Sequence, residues 1–233
     1  MLDIDDDIDV IDAAPDTPEA QAGESVRIID VPQNSLEWLH ARLGIPTASC
    51  FDLVVAPGRA DQPSKQRQTY MLTLLGERLT GELSEQASSP NFDRGHRMEI
   101  DAANDYEFRQ RVTTETIGFM RRGNVGCSPD RLITGTRGLV EIKSKKANLQ
   151  LAAILADELP AEHKAQVQGG LLVSGYEYCD FVSYWPGLPL FVKRVYRDEA
   201  YIDWLRDELD AFNEELDALD RQMRERYYGG VAE

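Results

Sequence analysis

The sequence predicts an α/β fold, a mixed β-sheet flanked by helices, and three observations lead to it. Strand-like stretches joined by short Gly-containing turns crowd into residues 113–144 and 178–197. Stretches with apolar residues at helical spacing lie before, between and after them. No internal repeat interrupts the alternation. A chain of 233 residues, 42% hydrophobic and 28% charged, suits one domain of a globular enzyme.

Residues 1–24 are Asp-rich, with Pro15, Pro18 and Gly23, and read as a disordered acidic tail, solubilising or a partner-docking mimic of DNA. A single domain over 25–233 is expected to start with a short strand at Arg27–Val31. Asn34 or Ser35 can cap a helix reaching about Arg42, with Glu37 in its first turn. A second helix runs from Thr47–Ser49 to Val55 and ends at Pro57-Gly58. Residues 66–80, with Tyr70, Leu74, Leu75 and Leu79 near helical spacing, and Arg94–Phe108 give two more. Strands follow at Thr113–Met120, Val125–Thr134 and Gly138–Ser144, with turns at Arg122-Gly123-Asn124 and Thr134–Arg137. Helices are expected at about 149–157 and 161–174, and a hairpin at 178–185 and 189–197 through Pro186-Gly187. The last element, about 199–226, is a long acidic amphipathic helix (Ile202, Leu205, Leu209, Phe212, Leu216, Leu219).

A net charge of −16 opposes binding to phosphates, which needs basic side chains. Its distribution removes the conflict. Residues 1–24 hold nine acids and no Lys or Arg, and residues 198–233 hold twelve acids against four arginines, so the remaining 25–197 carry +1. The apolar stretches Leu149–Ala156 and Gly169–Ser174 are too short to cross a bilayer, and the acidic N-terminus is unlike a secretory signal. Cys50, Cys127 and Cys179 are scattered with no CxxC pair, which fits buried thiols in a reducing cytoplasm and argues against a thiolate metal site.

The chemistry concentrates in Pro129-Asp130 and Glu141-Ile142-Lys143. Alternation along a strand puts Glu141 and Lys143 on one face, and a turn at Thr134–Arg137 folds Asp130 back beside them. Two carboxylates and the Ile142 carbonyl then surround one hard cation, magnesium or manganese. Lys143 supplies fixed positive charge where negative charge builds on a phosphoryl group or its attacking water. Pro-Asp recurs at Pro15-Asp16 and Glu-x-Lys at Glu162–Lys164, so only the pairing on adjacent strands is informative. A surface salt bridge between Glu141 and Lys143 is the bland alternative.

With those residues in hand, the chain resembles the lambda-exonuclease (YqaJ-like) viral recombinase family of the PD-(D/E)xK nuclease superfamily. The resemblance runs from about Trp38 to Trp185 in four ordered blocks. It implies a restriction-endonuclease-like core and a magnesium-dependent exonuclease that digests duplex DNA from the 5′ end, leaving 3′ single strands for an annealing protein. It also implies a homo-oligomer, a ring-shaped trimer, acting in the cytoplasm of a phage's bacterial host.

In Ala41-Arg42-Leu43-Gly44-Ile45-Pro46-Thr47-Ala48-Ser49, the resemblance gives Arg42 and Ser49 the terminal 5′-phosphate, to which a helix N-terminus at Ser49 is suited. Within Gly95-His96-Arg97-Met98-Glu99, Glu99 would approach a second metal or its water. In Cys127-Ser128-Pro129-Asp130, Ser128 would add a phosphate contact. In Ala165-Gln166-Val167-Gln168, Gln166 would support the lysine or water, while Gln168, facing another way, would touch DNA or a neighbouring helix.

His40, His96 and His163 are too scattered for a histidine mechanism, and His163 reads as a surface residue. Basic candidates for the DNA backbone are Lys65, Arg67, Arg94, Arg97, Arg137, Lys145, Lys146 and Lys164, about half of which are expected to serve. Two rival functions stay open: an endonuclease of the same superfamily, and a non-enzymatic acidic interaction protein. A four-cysteine iron–sulfur nuclease is excluded by three dispersed cysteines.

Overall fold

The strand-forming residues between 113 and 144 divide between two sheets. The computed structural model describes residues 25–58, 62–83, 90–227 and 229, with only the backbone of 90–96; the expected acidic tail lies outside the described residues. Strands β1 (Arg27–Ile29), β3 (Phe119–Arg122) and β4 (Val125–Cys127) form an antiparallel sheet in the order β1-β3-β4. Strands β2 (Thr114–Glu115), β5 (Arg131–Ile133), β6 (Gly138–Ser144), β7 (Tyr178–Tyr184) and β8 (Phe191–Tyr196) form a mixed sheet in that order. Within it β6 and β7 run parallel, and the other pairs are antiparallel.

Two expected strands are therefore each broken in two. Pro129 has no N–H to give a ladder, so the expected strand at Val125–Thr134 stops at Cys127, and Ser128-Pro129-Asp130 crosses from one sheet to the other. The expected strand at Thr113–Met120 breaks at 116–118, where a Cβ on Gly118 would lie 2.2 Å from the Val31 carbonyl oxygen. Only glycine lets the end of β1 pass so close.

The helices fall within a few residues of the sequence reading. They are α1 (Leu36–Ala41), α2 (Phe51–Val54), α3 (Lys65–Thr80), α4 (Pro90–Gln110), α5 (Ala147–Ala156), α6 (Lys164–Ser174) and α7 (Glu199–Tyr227). Ser35 is the cap of α1, its hydroxyl accepting from Trp38 N–H. Short 3-10 turns at Ala48–Cys50 and Ala161–His163 precede α2 and α6.

Alternation along β6 sorts its side chains between two layers. Leu139 enters the main core with Phe51, Leu171, Phe181, Leu209 and Phe212, built from α2, α3, α6 and α7. Val140 and Ile142 enter a second cluster with Ala102, Ala103 and Tyr106 of α4. Glu141 and Lys143 consequently share Leu139's face, under α6. On the other face, Tyr106 donates to the buried Asp180 at 2.6 Å, and Arg194 adds two bonds of 2.8 Å, fastening α4 to the sheet. Cys127 and Cys179 are buried, Cys50 is half-buried, and all three are free thiols. No helix among the described residues is long and apolar enough to cross a membrane.

The seat of α6 depends on Gly169, where a Cβ would lie 2.3 Å from the Phe51 ring. Gly169→Ala is expected to destabilise by ~1–3 kcal/mol through overpacking, despite the better helix propensity of alanine. Gly76→Ala, on the open face of α3 with nothing within 4 Å, should stabilise by ~0.5–1 kcal/mol. Urea midpoints of the two variants, moving in opposite directions, check the packing.

Candidate active site

The pairing of β5 with β6 runs from Ile133–Gly138 to Arg131–Val140, closed by the turn at 134–137 with Gly135 at φ +73°. One residue further, Asp130 comes level with Glu141. Its Oδ2 accepts the Ile142 N–H at 2.5 Å. In an extended strand the N–H and C=O of one residue point to the same edge, so the Ile142 carbonyl also faces Asp130. Glu141 is 7% exposed. Its Oε1 accepts from Lys143 Nζ at 2.7 Å and from Gln166 Nε2, on α6, at 2.6 Å; Oε2 takes part in neither bond. The Glu141–Lys143 ion pair exists, then, but on the floor of a cavity and not at the surface.

The electrostatics of this corner are strained. Burial pushes the Asp130 carboxyl well above the usual carboxylate range, Glu141 and Glu99 push it further, and Lys143 with the Ile142 N–H only partly offset them. For Lys143, burial alone would favour the neutral amine. Glu141 and Asp130 outweigh it, and Lys143 is held above the ordinary lysine value, a fixed cation.

A cavity of about 210 Å³ is lined by Asp130, Glu141, Lys143 and Gln166 and also by Arg42, Thr47, Ser49 and Ser128. A second, of about 370 Å³, shares Asp130 and is lined also by Glu99 and Arg131. Gln33 lines both, and its Nε2 donates to the carbonyls of Ile117 (2.8 Å) and Pro129 (3.0 Å), holding the crossing between the sheets. Trp38 Nε1 donates to Ser128 Oγ at 2.9 Å and to the Gly118 carbonyl at 3.1 Å. The Arg42 guanidinium lies 4.2 Å from the Trp38 ring centroid and donates to Thr47 Oγ1 at 3.3 Å.

Seven residues singled out in the sequence thus share one cavity, and Glu99 enters the adjoining one. Ser49 lies inside the 3-10 turn that Thr47 caps, before a helix of a single turn, so no long helix N-terminus sits at Ser49. Arg137 lies at the other end of β6, donating to the Gly175 carbonyl and resting 5.5 Å from the Tyr176 ring. Lys145 pairs with Glu162 at 3.0 Å, and Lys146 is exposed at the cap of α5. Arg67 and Lys164 are engaged by Glu215 and Asp198. Gln168 is buried and bonds the Tyr196 carbonyl and the Asp198 N–H ahead of α7, so it serves the neighbouring helix rather than DNA. His163 is not a surface residue: it stacks on Phe181 at 5.0 Å. The sequence reading passed over Gln33 and Thr47, whose polarity signals nothing until the chain brings them to the cavity.

A hard divalent cation fits this donor set. An Asp130 carboxyl whose charge is opposed by Glu141 and Glu99 is relieved by a positive charge beside it, and the Ile142 carbonyl adds a further oxygen. Among the described residues no group of three or more His, Cys, Asp or Glu side chains is placed to hold a metal ion, so the donors on offer are two carboxylates and one backbone carbonyl.

A model of the YqaJ-like viral recombinase domain matches residues 37–177. The chain belongs to this family. The solved structure of LHK-Exo in complex with dAMP is 31% identical, covers 85% of this chain with all of its own, and superposes with a TM-score of 0.76. A second structure of that protein, described as an alkaline exonuclease from Laribacter hongkongensis, gives 0.73 at the same identity and coverage. A phage-related exonuclease from Haemophilus somnus 129PT, 12% identical, covers 77% of this chain and 96% of itself, with a TM-score of 0.60, and shares the fold. No curated protein matches the sequence. YqaJ membership carries a nuclease role in recombination on DNA, and the fold is that of the PD-(D/E)xK exonucleases.

Burial, Lys145 and Lys143 press His163 down to about 4. Folded His163 stays neutral where the unfolded imidazole binds a proton, so its contribution is present above about pH 6.5 and is lost as pH falls toward 4. Between pH 7 and 4.5 this should cost roughly 2 kcal/mol, a loss that His163→Phe, which keeps the stack, should escape. Urea unfolding of both proteins at the two pH values tests it.

Proposed function

We propose that this protein is a magnesium-dependent exonuclease that digests one strand of duplex DNA from its 5′ end and leaves a 3′ single strand for an annealing partner. The observation that carries the reading is one cavity lined both by a carboxylate–lysine–glutamine cluster and by Arg42, Thr47, Ser49 and Ser128. The first group suits phosphodiester hydrolysis. The second suits the terminal phosphate that only an enzyme working from an end must hold. The complex of LHK-Exo with dAMP is in keeping with a pocket that takes one deoxynucleotide.

Asp130, Glu141 and the Ile142 carbonyl would hold the magnesium, for which manganese can substitute, and Glu99 would reach it through water. Bound there, such a cation polarises the scissile phosphate and lowers the pKa of an attacking water. The chain's own groups do the rest. Gln166 and Lys143 fix the Glu141 carboxylate by two bonds on one oxygen, so its orientation is set before substrate arrives. Lys143 remains cationic at neutral and alkaline pH and offsets charge that develops on the phosphoryl oxygens. Arg42, steadied by Trp38 and Thr47, receives the 5′-phosphate with Ser49 and Ser128. Lys146 offers an exposed charge to the backbone beyond the cavity, and Lys145 and Arg137 could do so only from their present pairings. A ring-shaped homotrimer would keep such an enzyme on its substrate.

With magnesium and a duplex labelled at one 5′ end, the label should be released as a mononucleotide, and closed circular duplex should stay intact. Label released in an oligonucleotide, digestion from the 3′ end, or cleavage of the circle would contradict the polarity. Asp130→Ala should lower turnover by at least ~10³-fold, since a ligand and the balance of charge go together. Undiminished cleavage by that variant would remove Asp130 from the site.

A further inference from the structure

The segment bearing Arg42, Thr47 and Ser49 passes through a turn with no ladder of its own between Arg42 and Pro46. Its far end is held by β4, where the Gly126 N–H donates to the Pro46 carbonyl at 3.0 Å, and the turn itself is held by one stripe of α3. Gly44 turns there at φ +66°. Its N–H donates to Glu77 Oε2 at 2.9 Å, and its carbonyl accepts from Arg78 Nε at 2.7 Å. Three residues on, the Thr47 N–H donates to the Tyr70 hydroxyl at 3.2 Å. Tyr70, Glu77 and Arg78 stand seven and eight positions apart, the spacing of one helix face. Glu77 is 7% exposed, a buried acid. Arg78 is braced in turn by Asp217 of α7 at 2.5 Å. A Cβ on Gly44 would fall 2.5 Å from Arg78 Cγ, so the contact leaves no slack.

We infer that Glu77 and Arg78 are positioning residues for the 5′-phosphate pocket. By gripping Gly44 through both its N–H and its carbonyl, they set where Arg42 and Ser49 stand on either side of the phosphate. Asp217 passes the support of the last helix to that grip. Neither Glu77 nor Arg78 lines the cavity, so they act through the loop and not on DNA. A loop held merely for stability would explain one hydrogen bond to Gly44. Two opposed charged side chains on one glycine, backed by a third on another helix, fix a position as well as a fold. This inference rests on the reading of Arg42 and Ser49 as ligands of the terminal phosphate.

The test compares duplexes that differ only in a 5′-phosphate or a 5′-hydroxyl end, with kcat and KM for each. The wild-type protein should prefer the phosphorylated end, and Arg42→Ala should abolish the preference. Glu77→Ala should cut it by about tenfold, mainly through KM on phosphorylated ends, as befits the loss of a charge-assisted bond that placed a ligand. Glu77→Gln, which keeps an oxygen for the Gly44 N–H, should retain most of the preference. Asp217 is half-exposed. Asp217→Ala therefore probes the same grip without emptying a buried site, and should weaken the preference with little change in melting temperature. If wild type and Arg42→Ala treat both ends alike, the phosphate reading falls and the grip with it. If Arg42→Ala loses a preference that Glu77→Ala and Asp217→Ala both keep, the grip alone is overturned. Equal losses of kcat on both ends would likewise overturn it, by showing a structural role only.

Discussion

Asp130 faces Glu141 across the end of the β5–β6 hairpin, where burial and the neighbouring Glu141 and Glu99 carboxylates oppose the charge of Asp130. Left to itself Asp130 would move away or take up a proton. Several separate devices prevent the first. The Ile142 N–H holds Asp130 from the strand edge, and Gln33 holds the adjacent Pro129 carbonyl. Gln166 and Lys143 hold Glu141 from above. The break between the sheets is part of the same arrangement. Had Asp130 stayed inside a continuous ladder, its neighbour across the sheet would have been a strand and not a cavity.

The helices can be read by what they bring to this corner. Helix α4, fastened by Tyr106 to Asp180, presents Glu99 two turns before that anchor. Helix α6 lies over β6 at Gly170 and close against Phe51 of α2 at Gly169, and presents Gln166. Helix α3 grips the Arg42 loop. Helix α7 resolves the puzzle of the acidic end, because two of its acids, Glu215 and Asp217, are occupied by Arg67 and Arg78 of α3. Part of the charge that seemed hostile to DNA is therefore structural, remote from the cavity walls. These ion pairs are half-exposed on the acidic side, so their worth lies in register more than in stability.

The hairpin and the meeting of Asp130, Glu141 and Lys143 on it were legible in the sequence because period-two alternation and a short Gly-containing turn are local signals. The same holds for α7, whose apolar stripe repeats over about five turns from Ile202 to Leu219. The division into two sheets was written at Pro129, and a stricter reading of a proline inside a strand would have found it. The rest of the cavity lining was less accessible. Arg42, Ser49 and Ser128 came through family resemblance, not from their own chemistry. Gln33 and Trp38 reach partners 80 to 96 residues away, and Glu77 reaches Gly44 across 33, contacts that no local pattern encodes. Arg137 and Lys145 show the converse: basic side chains close in sequence to Glu141 and Lys143, yet taken up by Gly175 and Glu162.

The central claim is that two opposed carboxylates are held together to receive a cation. Since Asp130 resists ionisation in the fold, the metal-free protein loses stability as pH rises from the ordinary carboxylate value through the raised one. Thermal melting at pH 8 of the wild type and Asp130→Asn, each with and without manganese, measures this directly. Without metal the variant should melt higher, because it removes a repelled charge; with manganese the order should reverse, because only the wild type gains a ligand. A variant that melts lower without metal, and shifts as much as wild type when manganese is added, would contradict the account.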